Sequence, residues 1–399
     1  MSQLRAADQG PRPTLWPRAP AKGSAEAAQE PLIVVCAGGG GVGKTTTAAA
    51  LALALAQAGH TALIVTIDPA RRLAGALGVP MSDAVSSVTL PEAGGRLFAL
   101  MPDPRRSLRT FVERLFAHEP AAKARVLKSG IFRGFADAAA GVHELVAMNL
   151  VAHAAQGGAF EAIVIDTAPS RHAIDFVTYP GRLTSLLSGR AVSWLASFAR
   201  SHEEPSPDAD RPPSGLVARG AGFVERIVAR VTGPWLARET AAIFADLARV
   251  RERFVSLTER ATGLLLGSGA TYLLVAAPTH AAGEDVRYLA ERLAKLGHAP
   301  RAILMNRADT CPAPYVEQLR TAPRLPASIP AALETLETER TRRAAAAERL
   351  AADFRARLPG VQQVRLSQVE AAAPEAIVMA LAEELGPHLQ TLLPLLERR

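Results

Sequence analysis

The sequence predicts an α/β fold: a mostly parallel sheet with helices on both faces and an α-helical subdomain built on it. Three observations carry this. Short continuous apolar runs, such as Ala62–Ile67 and Ala162–Ile165, have the composition of strands buried on both sides, as parallel strands are. These runs alternate with helix-like segments, several closed by glycine, the pattern of a sheet wound with crossover helices. Between the third and fifth strands, however, long stretches are helical alone, more than the crossovers need.

The elements follow in order. Met1–Glu30 is rich in Pro, Ala, Gln and charge and reads as a disordered tail before a domain spanning 31–399. Leu32–Ala37 is the first strand, and a glycine run leads from it into the helix Thr45–Ala58, closed by Gly59. The strand Ala62–Ile67 ends in Asp68-Pro69-Ala70. Arg71–Leu77 is a short helix stopped by Gly78, and Leu97–Met101 the next strand. Ser107–Phe116 and Phe135–Gln156 read as helices. The strand Ala162–Ile165 delivers Asp166-Thr167-Ala168-Pro169. Helical segments resume at Arg182–Leu187, Val192–Arg200, Leu216–Val231 and Thr240–Ala261, interrupted by the polar, proline-rich His202–Ser214. In the last of these helices Ile243, Leu247, Val250, Phe254 and Leu257 form one stripe. The helical subdomain therefore takes about 105–156 and 182–262. Strands Tyr272–Ala276, Ala302–Met305 and Val361–Leu366 alternate with helices Ala281–Leu296, Ala331–Leu358 and Pro374–Leu385.

Bulk properties narrow the function. The 399 residues are 49% hydrophobic and 21% charged, ordinary for a water-soluble globule. The net charge is +7, and all but five of the 45 basic side chains are arginine. No basic run is interleaved with aromatics, so no nucleic-acid partner is expected. Cys36 and Cys311 are the two cysteines, with no C-x-x-C, so neither zinc nor a disulfide framework is expected. Met1–Glu30 lacks the apolar segment of a signal peptide, and no run approaches the ~20 apolar residues of a membrane span. A cytoplasmic protein is the expectation.

The chemistry concentrates at strand ends. Gly38-x-x-x-x-Gly43-Lys44-Thr45 fits the phosphate-binding loop, and it stands between a strand and a helix as that motif requires. Gly38, Gly39, Gly40, Gly41 and Gly43, with Val42, let backbone N–H groups converge on a polyphosphate. The helix start at Lys44, Thr45 and Thr46 adds unpaired N–H groups and a positive dipole end. Lys44 brings full charge to the outer phosphates, and Thr45 offers a hydroxyl to Mg²⁺. Ligands of open α/β sheets bind beyond the carboxyl ends of the strands, so Asp68 and Asp166 should join this loop. Asp166 is the candidate to hold Mg²⁺ through water, and Asp68 to orient an attacking water and complete the metal site. ATP and Mg²⁺ are the expected cofactors.

These motifs resemble the arsenite-pump-ATPase (ArsA) family of P-loop NTPases, which includes the ATPases that target tail-anchored membrane proteins. AGGGGVGKTTTAAALA, IDPARRLAGALG (Asp68–Gly78), VIDTAPSRHAIDF (Val164–Phe176), GVHELVAMNL (Gly141–Leu150) and LMNRAD (Leu304–Asp309) carry the resemblance. It implies that Asp68 activates water, Asp166 holds Mg²⁺ through water, Asn306 recognises adenine and Glu284 contacts nucleotide at a subunit interface. It implies a homodimer, or a heterodimer with a related ATPase. It also implies a protein client, a membrane-protein segment in the targeting members.

Three departures qualify the resemblance. The family's first loop lysine, which reaches a partner's phosphates, is Gly39 here, and Arg171 is the candidate to supply the missing cation. Cys36 and Cys311 cannot form the thiolate set of a metalloid pump or an interfacial zinc site, so arsenite-pump driving is the lesser reading. The chain has 6 Met, too few for a methionine-lined client groove, and Trp194, Leu195, Phe198, Phe223, Ile227, Trp235 and Phe244 read as intramolecular core. The leading expectation is a Mg²⁺-dependent ATPase coupling nucleotide state to a partner. A nucleotide-gated switch with little turnover is the alternative.

Overall fold

The structure, a computed structural model, describes residues 5–6, 30–67, 72–78, 84–90, 94–130, 132, 142–168, 242–243, 245–308 and 328–394. It divides into two compact units, one formed by Met1–Asp103, Val151–Asp175 and Gly263–Arg399, the other by Pro104–Leu150 and Phe176–Thr262.

The first unit is built on a nine-stranded sheet. In chain order its strands are β1 (Arg5–Ala6), β2 (Leu32–Gly38), β3 (Thr61–Thr66), β4 (Ser86–Thr89), β5 (Arg96–Leu100), β6 (Ala162–Asp166), β7 (Ala270–Ala276), β8 (Ala302–Met305) and β9 (Gln362–Arg365). They lie in the order β1-β4-β5-β3-β6-β2-β7-β8-β9. The seven strands from β5 to β9 in that order run parallel. At one edge β4 pairs antiparallel with β5, and β1 antiparallel with β4. The α/β, mostly parallel architecture is the one the apolar runs predict. All seven residues of β2 are buried, which requires cover on both faces of the sheet.

The edge differs from expectation. Arg5 and Ala6, inside the segment read as a disordered tail, pair with Thr89 and Val88. β4 is invisible to an apolar-run reading because only Val88 of its four residues is buried.

Helices cover the sheet. α1 (Lys44–Gln57) is buried nearly all round, as its Ala/Leu composition requires of a central helix. α2 (Arg72–Leu77) and the later α9 (Pro374–Leu385) lie against it, and α9 contributes Val378, Leu381, Ala382 and Leu385. Gly59, at φ 101°, ends the α1 turn.

The second unit contains α3 (Pro104–Leu115), α4 (Pro120–Lys128) and the first part of α5 (Val142–Gln156). It also contains a helical stretch at 245–249 and most of α6 (Arg251–Leu266). The Thr240–Ala261 prediction is thus divided by a turn at Val250. Ile243, Val250 and Phe254 of its stripe are buried, and Phe254 meets Phe111 edge-on at 6.0 Å. Arg125 clamps the buried Asp246 from Nε at 3.1 Å and from Nη2 at 2.7 Å, and Arg249 adds a third bond. The predicted segments Arg182–Leu187, Val192–Arg200, His202–Ser214 and Leu216–Val231 lie outside the described residues, as do the seven apolar residues named with them.

The remaining helices are α7 (His280–Lys295), α8 (Ser328–Arg357) and α10 (Leu389–Leu392). A single 3-10 turn, Gly386–His388, leads into α10. Among the described residues no helix is long and apolar enough to cross a membrane.

Candidate nucleotide site

Parallel pairing puts the carboxyl ends of β2, β3, β6, β7 and β8 on one edge. Cys36 and Thr66 are both level with Asp166, Gly38 with Val275, and Ala276 with Met305. The loop after β2 therefore emerges between the ends of β6 and β7, the strands on either side of it.

Each turn of that loop has a physical cause. Gly41 (φ 74°) and Gly43 (φ 85°) occupy the left-handed region, where a Cβ costs energy. A Cβ on Gly38 would stand 2.4 Å from Val275 O, and one on Gly43 would stand 2.0 Å from Asn306 Nδ2. Gly43 caps α1 with no side-chain hydrogen bond, and no acidic residue occupies the first turn. The helix dipole thus ends in N–H groups that no acidic side chain of the helix's own first turn neutralises. Lys44 is only 5% exposed and Thr45 only 8%, while Thr46 is half-buried. Behind them Thr47 anchors the turn, its N–H and its hydroxyl both donating to Gly43 O, at 2.9 and 3.0 Å.

Asp166 is fully buried at the end of β6 and accepts a 2.9 Å bond from the Thr66 hydroxyl. Thr167 ties the same end to β2 through its hydroxyl and its N–H, both donating to Cys36 O, at 2.9 and 3.3 Å. Ile67 N donates to Asp166 O at 2.8 Å, which holds the end of β3 beside that of β6. Asp68 and Arg171 themselves lie outside the described residues.

Burial pushes the Cys36 thiol well above its ordinary range, and the Asp166 charge adds to that, with Lys44 opposing. Cys36 is a protonated packing residue, as its position at the strand end implies. Cys311 lies outside the described residues.

Asn306 follows β8 and is 5% exposed. Its Nδ2 donates to Val42 O at 3.0 Å, and its Oδ1 accepts from Arg307 N at 3.0 Å. One amide N–H and one lone pair remain for a ligand. Arg307, exposed, is the one non-glycine at positive φ (57°) among the described residues. Such a conformation costs roughly 1–2 kcal/mol. The strain falls beside the phosphate loop, where Asn306 braces it.

On α7, Glu284 lies on the exposed side, while the next residue, Asp285, is half-buried with its carboxylate against Gly39. Asp285 is absent from the candidates read off the sequence. The signal that finds it is helix phase. The buried positions Ala282, Val286, Leu289 and Leu293 set the inward stripe, and Asp285 flanks it three residues after the first and four before the third.

The residues present fit a polyphosphate and its divalent cation. They form a loop that a Cβ would crowd at Gly38, Gly39 and Gly43, a helix start with no side-chain cap, a buried ammonium, a buried hydroxyl and a buried carboxylate at one sheet edge.

Comparison with known proteins agrees with this geometry. Residues 32–213 match the family model described as anion-transporting ATPase. The protein named ATPase GET3 of Rhodotorula glutinis is 32% identical over 137 residues, covering 34% of this chain and 37% of that protein. ATPase GET3 of Pyricularia oryzae is 30% identical over 149 residues, covering 37% and 42%. ATPase get3 of Schizosaccharomyces japonicus is 28% identical over 138 residues, covering 35% and 40%. The chain thus matches about two fifths of the length of these curated relatives. Residues 32–213, which hold the phosphate loop and the Asp166 strand end, are thus the part of the chain that is similar to the anion-transporting ATPase (ArsA) family.

Proposed function

We propose that the protein hydrolyses ATP with Mg²⁺ and uses its nucleotide state to control docking of a protein partner. The observation that carries this is the pair Lys44 and Thr45, buried at the start of an uncapped 14-residue helix behind two left-handed glycines. Phosphoryl transfer asks a protein mainly for positioning and charge stabilisation, and this loop is built for both. In this reading the loop N–H groups and Lys44 bind the phosphates. Thr45, Asp166 and Asp68 hold Mg²⁺, which offsets charge on the transferred group. Asp68 orients the attacking water, Arg171 supplies a cation, and Asn306 uses its remaining N–H and lone pair on adenine. Glu284 contacts nucleotide at the junction with a second ATPase chain, and the helical unit presents the surface for a client, a membrane-protein segment. The family match over residues 32–213 and the relatives' names support the ATPase assignment. The partner assignments rest on resemblance.

Phosphate release by the full chain with Mg²⁺, compared with Lys44→Ala, tests the activity. Lys44→Ala is expected to lose about a hundredfold or more, since Lys44 contributes where charge develops. Equal rates would sink the enzyme reading.

Gly39 favours a second reading. A glycine supplies no charge to a partner's phosphates, so the chain is alternatively a nucleotide-gated switch with little turnover of its own. ATP binding that Lys44→Ala abolishes, with turnover no faster than that variant, would assign the switch.

A further inference from the structure

Gly39 lies against the carboxylate of a neighbouring helix. It is not among the glycines held at positive φ, so its backbone admits an ordinary side chain. The atoms nearest to one are those of Asp285. A Cβ on Gly39 would stand 2.1 Å from Asp285 Oδ2, 3.1 Å from Cγ and 3.4 Å from Cβ. A Cβ on the neighbouring Gly40 would meet nothing within 4 Å.

The carboxylate's seat is set by the helix that carries it. Thr279 caps α7 by accepting from Ala282 N at 3.3 Å. Val286 and Leu289 are fully buried and fix the rotation of the helix. A Cβ on Gly283 would stand 2.6 Å from Leu350 Cδ1, so α7 lies close against α8 two residues before Asp285. The Asp285 carboxylate thus lies beside the phosphate loop at Gly39, carried by a helix whose rotation is fixed.

We propose that Asp285 is a specificity-determining residue of this loop: it holds a negative charge beside the phosphate-binding N–H groups, so the site favours nucleotide complexed with a divalent cation over the metal-free polyphosphate. The inference rests on the loop being a polyphosphate site. Like charges repel in proportion to the product of their charges. A bound divalent cation removes two charges from the nucleotide, and the repulsion falls accordingly. The helix dipole and Lys44 still attract both forms, so Asp285 changes their ratio more than it changes overall binding.

The test is calorimetric titration of the full chain with ATP, once with Mg²⁺ and once with EDTA, for the wild type, Asp285→Asn and Lys44→Ala. Asp285→Asn keeps the shape and removes the charge. It should tighten binding of metal-free ATP by about tenfold and of Mg·ATP by less than about threefold, and the difference should shrink in high salt. Equal shifts in the two titrations, or none, overturn the role given to Asp285. Lys44→Ala separates the two ideas. If that variant binds both forms as the wild type does, the loop reading itself fails. If it loses both while Asp285→Asn leaves the ratio unchanged, only the Asp285 inference fails. Thermal unfolding tests the seat independently of any ligand. Gly39→Ala should lower Tm in the wild-type background and leave it nearly unchanged in an Asp285→Ala background. Losses that add fully across the two substitutions overturn the contact.

Discussion

At the scale of single residues, the site is built from atoms that leave little room for substitution. Gly43→Ala combines a left-handed φ of 85° with a Cβ 2.0 Å from Asn306 Nδ2. It should cost about 2–3 kcal/mol in denaturant unfolding and lose ATP binding as well, because the same atoms shape the cradle. Arg307→Gly should act in the opposite direction on stability. Relieving a side chain held at φ 57° should gain about 1 kcal/mol, read as an increase in the unfolding midpoint. The phosphate loop was legible in the sequence because Gly43, Lys44 and Thr45 are contiguous and their chemistry is local. Asp285 was not. Glu284 carries the same charge one residue earlier, and only the rotation of a packed helix decides which of the two faces Gly39.

At the scale of elements, the parallel strands were legible because burial on both faces leaves an unbroken apolar run. β4 and α4 escaped the same reading, since an edge strand with one buried residue and a nine-residue helix with two buried residues carry almost no pattern. Cover over α1 depends on α9, where Leu381 is 1% exposed. Leu381→Ala should destabilise the first unit by about 2–4 kcal/mol in chemical denaturation, the cost of a core cavity. Farther along the sheet, α8 and β9 are joined by charge. Arg365 and Arg355 both bond the Glu348 carboxylate, and their hydrogen bonds, that of Arg365 first, hold its pKa down to about 2. A carboxylate depressed on folding stabilises above its unfolded value near 4.5 and loses that contribution as pH falls toward 2. Carboxyl NMR should find Glu348 titrating near 2, and near its ordinary value in an Arg365→Ala, Arg355→Ala double variant. Because the group is exposed, the effect on global stability should be small.

At the scale of the whole molecule, the two units hold themselves together by different means. The sheet unit relies on apolar burial, whereas the described part of the helical unit centres on Asp246 and its two arginines beside Phe111 and Phe254. Asp246→Ala would leave Arg125 and Arg249 without their shared acceptor. It should loosen hydrogen-exchange protection in residues 104–130 while leaving the β2 and β7 amides protected. Association belongs to this scale too. Light scattering should report a doubled mass with Mg²⁺ and a non-hydrolysable ATP analogue but not with ADP, if ATP draws two copies together despite Gly39. A mass that stays single in both would turn the search toward a related second chain.

The brace from Asn306 to Val42 spans 264 positions of sequence, and the cover over α1 comes from residues 374–385. During synthesis, then, the phosphate loop leaves the ribosome long before the parts that hold it in shape. At ordinary elongation rates the wait for α9 is on the order of tens of seconds. Over that interval α1, apolar on nearly every side, has no finished home, and the nascent chain is exposed to sticking or to chaperone capture. A shortened gene ending after residue 213 would carry every residue of the family match and still make a product unable to hold nucleotide.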